Sequence, residues 1–157
     1  MCRAADIAIA MVNGSIEKAR TTGDSRYYMD YVKLHKLMYL GQCYMLGRYG
    51  RKLFRDTITA HYCGPYIEGI PFIQGSRGFG LIKVPYDEEE FLAPTIFGQA
   101  TIEWVLKEHG TKSTEELIDF TKDTFAYIEA VGSLTDDHKP TISIENMLES
   151  LVVRSAV

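Results

Sequence analysis

The chain has few cysteines: Cys2, Cys43 and Cys63 are the only three among 157 residues. An odd number at such wide spacings argues against a disulfide framework and suits a reducing, cytoplasmic setting. No set of cysteines and histidines has zinc-ligand spacing, so neither a metal nor another cofactor is expected. No apolar run approaches the roughly 18 residues of a membrane-spanning helix, and Asp6 interrupts the short apolar stretch behind Met1. Repeats, low-complexity segments and linkers are also missing, which makes residues 1–157 a single domain. A net basic charge is absent as well. The formal charge is −4, and the only cationic cluster is Arg48, Arg51, Lys52 and Arg55, so direct nucleic-acid binding is not expected.

What the chain does have is 46% apolar and 24% charged residues, enough for a core of ordinary size. Its charge is unevenly divided: residues 1–80 hold eleven Lys/Arg against six Asp/Glu, and residues 81–157 hold six against fifteen. Such a split either steers a charged partner or reflects two differently solvated faces.

Periodicity predicts a mainly α, compact helical domain of about six helices with a minor two- or three-stranded β element. Ile7, Ala8, Met11, Val12 and Ile16 place a first helix over residues 4–20, with Asp6 in its first turn and Lys18 and Arg20 in its last. A polar loop follows at 21–26. Asp30 is a candidate N-cap for a second helix reaching about Arg48, with Leu34, Leu37, Met38, Gly41, Tyr44 and Met45 in one stripe. Residues 55–62 favour an extended strand, and Gly64-Pro65 is expected to turn the chain into a helical segment over 66–73, kinked by Pro71. A glycine-rich loop at 75–80, a second short strand at 81–84 and an acidic helix start at 87–90 come next. Further helices are expected over 96–109, closed by Gly110, over 116–121 behind a Ser113/Glu116 capping box, over 124–131, and over 143–152 after a loop at 133–140.

Candidate chemistry is sparse. His61 and Cys63, two residues apart on the predicted strand, put an imidazole and a thiol on one side, yet two ligands are too few for a metal. His35, His109 and His138 are scattered, and Cys43 reads as a buried small hydrophobe. The loop at 75–80 lacks the lysine and Ser/Thr of a phosphate-binding loop. Lys33 and Lys36 stand out, one turn apart on an otherwise apolar helix beside Tyr39 and Gln42. They either lie along a solvated edge or tie down backbone carbonyls or a partner.

The run Lys33-Leu34-x-Lys36-Leu37-x-Tyr39-x-x-Gln42, followed by Gly50, Leu53 and Phe54 and then by Ala60, Tyr62, Gly64 and Pro65, resembles the Panacea antitoxin domain family. That family includes SocA-type antitoxins and phage-associated GepA-like proteins. The resemblance continues more weakly through Glu108-His109-Gly110, Ser113, Glu116, Leu117 and Thr121, and departs from the family pattern at Asp123-Thr124-Phe125. It implies a non-enzymatic, toxin-neutralising interaction module whose partner is a cognate toxin protein, and, for the SocA type, delivery of that toxin to a Clp protease. On this basis Lys33, Lys36, Tyr39 and Gln42 are expected to organise the core helix and its polar edge, with Tyr62, Gly64 and Pro65 setting the turn that docks the next segment. Tyr27, Tyr28, Tyr31, Tyr49 and Tyr66 are candidate interface anchors. Two rivals stand beside this: a phage or prophage host-interaction protein without a cognate toxin, and a small hydrolase or transferase using Cys63 and His61.

Overall fold

The computed structural model describes residues 2–70 and 80–155. Six α-helices are found among them: α1 (Ala4–Thr22), α2 (Tyr31–Tyr49), α3 (Ile96–His109), α4 (Thr114–Lys122), α5 (Phe125–Val131) and α6 (Ile144–Ser155). Strands β1 (Ile58–His61) and β2 (Gly64–Ile67) form an antiparallel pair, with Ile58 opposite Ile67 and His61 opposite Gly64. The fold is therefore mainly α with a minor β element. Nothing in the described chain is a helix long and apolar enough to cross a membrane.

Local chemistry sets the helix ends. The Asp30 carboxylate accepts the Lys33 amide at 2.7 Å and starts α2, while Gly50 closes it in the left-handed conformation (φ 67°). Ser113 and Glu116 exchange hydrogen bonds at 3.1 Å as a capping box at α4, and the Thr95 hydroxyl caps α3 through the Gly98 amide.

Helix α2 is the centre of the molecule. It packs against α1, α3, α4, α6 and β2, and fourteen of its nineteen residues are buried. Leu34, Leu37, Met38 and Met45 face the core, whereas Tyr44 at the edge of the same stripe is only half-buried. Gly41 makes room for the Leu53 side chain, whose Cδ2 would stand 2.9 Å from an added Cβ. With neighbours on nearly every side, the helix buries side chains around almost its whole circumference, Lys33, His35, Lys36 and Gln42 among them.

Several expectations are corrected by the fold. Gly64 and Pro65 do not turn the chain but open β2; the turn is at Tyr62 and Cys63. Tyr66 and Ile67, expected in a helix, are β residues because they pair with Thr59 and Ile58. Glu68 and Gly69, also expected in that helix, form a turn, while its residues from Pro71 on and all but Gly80 of the glycine-rich loop lie outside the described residues. The second strand expected at 81–84 is reduced to one bridge between Ile82 and Met29, and the acidic helix start is an isolated 3-10 turn, Glu88–Glu90. A third extended segment does join the sheet: Ile142 donates to the Ile58 carbonyl at 2.9 Å and Ala60 to the Pro140 carbonyl at 2.8 Å.

Candidate functional site

Lys33, Lys36, Tyr39 and Gln42 recur every third residue. Three residues advance a helix about 300°, so successive members shift by about 60° around the axis. The four side chains therefore do not form a stripe; they wind around α2 and meet four different parts of the chain. All four are buried, none more than 4% exposed.

Lys33 Nζ donates to the carbonyls of Arg26 and Gly110, both at 2.8 Å. Gly110 closes α3, so the ammonium sits at the negative end of that helix dipole while holding the 3-10 turn Ser25–Tyr27 in place. Lys36 Nζ donates to the Pro65 carbonyl at 3.0 Å, and the adjacent His35 Nδ1 accepts the Ile67 amide at 2.8 Å. These two backbone groups lie on the β2 edge that faces away from β1. The helix thus supplies, through two side chains, the hydrogen bonds that another strand would otherwise make.

Tyr39 and Thr124 hydroxyls meet at 2.6 Å; since Thr124 donates to the Thr121 carbonyl at 2.7 Å, Tyr39 is the donor between them. This bond pins the junction of α4 and α5. Gln42 uses both ends of its amide, donating to the Phe54 carbonyl at 3.0 Å and accepting from Leu53 at 2.7 Å and Phe54 at 3.3 Å. The four motif residues spend their polar atoms on the protein's own chain.

Burial shapes their protonation. It pushes Lys33 and Lys36 down to about 8. It also pushes His35 down to about 3, helped by the charge of Lys36, so the imidazole is neutral. With Nδ1 accepting, its proton lies on Nε2, which is buried and has no hydrogen-bond partner among the described residues. The ring is held between aromatic neighbours, edge-on to Tyr31 at 4.5 Å and stacked on Tyr66 at 4.3 Å.

Gly64 has φ +108°, and an added Cβ would lie 3.2 Å from Lys36 Cε and 3.3 Å from Thr121 Oγ1, so both conformation and space call for glycine. Pro65 is buried, whereas Tyr62 is 55% exposed and donates to Asp136 at 2.9 Å. His61 does not pair with Cys63 on a strand face: its Nε2 meets the Thr59 hydroxyl at 3.1 Å, its ring stacks on Tyr66, and Cys63 stands in the exposed turn. Among the described residues no three His, Cys, Asp or Glu side chains gather where a metal ion would be held.

The proposed aromatic anchors divide differently. Tyr31 is interior, and Tyr27, Tyr28, Tyr49 and Tyr66 are half-buried. The more exposed apolar side chains are elsewhere. Ile96 is 86% exposed and Leu92 62%, and Phe97, which follows Ile96 in α3, is 40% exposed. Phe97 lies 4.9 Å from the Tyr49 ring, Arg51 stands over Phe97 at 5.2 Å, and Tyr44 is stacked on Trp104 at 4.0 Å. Tyr44 and Tyr49 are edge to face at 6.3 Å, so Trp104, Tyr44, Tyr49 and Phe97 make an aromatic ridge along α2 and α3. Sequence reasoning passed over Ile96, Phe97 and Trp104; the available signal was that none of them shares the Ile102, Val105 and Leu106 stripe that buries α3.

No protein-family model matches the chain, and no curated protein or solved structure matches it either.

Proposed function

We propose that the chain is a toxin-neutralising interaction module of the Panacea type, working in the cytoplasm by binding a cognate toxin protein and not by catalysis. What supports this is the cooperation of the residues that carry the resemblance. Lys36 of the helix reaches Pro65 of the hairpin, and Gly64 is shaped to admit Lys36, so two motif segments separated by 29 positions form one physical unit. A scaffold whose polar residues are consumed in this way leaves recognition to its surface. The enzyme rival draws little from the geometry, because the His61 nitrogen is engaged by Thr59 rather than poised against Cys63.

The test is co-expression with the product of a small neighbouring gene. Growth should be rescued from that product's toxicity, and the two proteins should co-purify. A toxin whose half-life shortens only in cells containing the Clp protease marks delivery; an unchanged half-life with lost toxicity marks blocking. If no neighbouring product is toxic, the host-interaction alternative replaces this function. Rescue that disappears only with Cys63→Ser or His61→Ala restores the enzyme.

A further inference from the structure

We infer that the ridge formed by Ile96, Phe97, Tyr49 and Arg51 is the partner-binding surface, and that it takes an acidic protein segment carrying an apolar anchor. This deepens, and rests on, the proposal that the chain is an interaction module. Three observations meet at this place. Ile96 is the most exposed of the large apolar side chains among the described residues, and it directly precedes Phe97, which belongs to an aromatic cluster. A contiguous apolar patch of this kind is what interfaces are built from.

Charge supplies the second observation. Arg51 lies over Phe97, and Arg48 is exposed one turn beyond Tyr44 on α2, whose ring belongs to the same ridge. Neither arginine makes an ion pair with the chain's own carboxylates among the described residues. Cations left unpaired around an apolar centre complement a partner with carboxylates around an apolar anchor. The third observation separates protein from nucleic acid. Tyr44 and Trp104 are stacked on each other and each is half-buried, so neither stands out as a free platform for bases, and the most exposed member of the patch, Ile96, is aliphatic.

The patch can be altered without harming the fold. Ile96 is the first residue of α3, where an aspartate suits the helix dipole, and Arg51 is exposed. Peptides from a random display library would be selected on the purified chain, and measured alongside an oligothymidylate. Selected peptides should carry acidic residues around a Leu, Ile, Phe or Trp. Their affinity should fall about tenfold or more with Ile96→Asp and with Arg51→Glu, and should be unchanged by Ile128→Asp, an exposed apolar position on α5. Basic or uncharged peptides, binding that survives both ridge variants, or loss with Ile128→Asp would overturn the surface while leaving the interaction module standing. Oligothymidylate binding that the same ridge variants abolish would overturn it in favour of nucleic acid. Peptide binding at the ridge together with failed growth rescue would instead reject toxin neutralisation and keep the surface.

Discussion

The two halves of α2 treat polar and aromatic residues in opposite ways. From Tyr31 to Cys43 lysine, tyrosine and glutamine are buried and bonded to backbone or hydroxyl groups, whereas from Tyr44 onward the aromatic and arginine side chains reach the surface. The first half is architecture and the second is available for recognition. The contrast shows that a motif of lysines is no sign of a partner contact: a desolvated lysine has to find acceptors, and four carbonyls within the chain provide them through Lys33 and Lys36.

The internal half depends most heavily on Gln42. Gln42→Leu strands the Leu53 and Phe54 amides and the Phe54 carbonyl in the interior, and should cost about 3 kcal/mol or more in chemical denaturation. A loss below about 1 kcal/mol would mean that the internal half does not hold the fold. Gly64→Ala is next. With φ at +108° and contacts at 3.2 and 3.3 Å, it should cost about 1–3 kcal/mol, read as a lowered melting midpoint.

A smaller effect concerns pH. Lys33 and Lys36 have folded values near 8, below the ordinary 10.5, so the unfolded chain binds more protons above about pH 8 and stability rises with pH there. Above about pH 9 Cys43 opposes this, because burial pushes its thiol up to about 12 and the unfolded chain ionises first. Between pH 8 and 9 each lysine should contribute a rise of up to about 1 kcal/mol. Lys36→Met should remove its share of that slope, and an unchanged slope would show that Lys36 is not desolvated. The smallest effect sharpens the other side: Ile96→Asp and Arg51→Glu should leave stability within about 0.5 kcal/mol while weakening binding. A marked drop in melting midpoint would place the ridge in the architecture instead.

Helices were the legible part because their signals are local. The expected span 96–109 coincides with α3, and Asp30 and Ser113 start the helices they were expected to start. The hairpin was misread where local preference and pairing disagree. Gly-Pro commonly turns a chain, but here the left-handed freedom of Gly64 serves entry into a strand beside Lys36, and the pairing with Thr59 makes Tyr66 a β residue. His35 gave no signal as an edge-capping acceptor, since its partner amide lies 32 positions away.

The sequence by itself determined the mainly helical class, the helix starts at Asp30 and Ser113, the span of α3, and the burial of Leu34, Leu37 and Met38, because caps and a 3.6-residue period act within a turn or two of chain. Tertiary structure alone decided which way the lysines point, which residues cover the edge of β2, and which apolar side chains remain outside. Those outcomes depend on segments brought together from far apart, as when Lys33 meets Gly110 across 77 positions. A buried polar atom takes the acceptor that packing places beside it, and no local pattern records which one that will be.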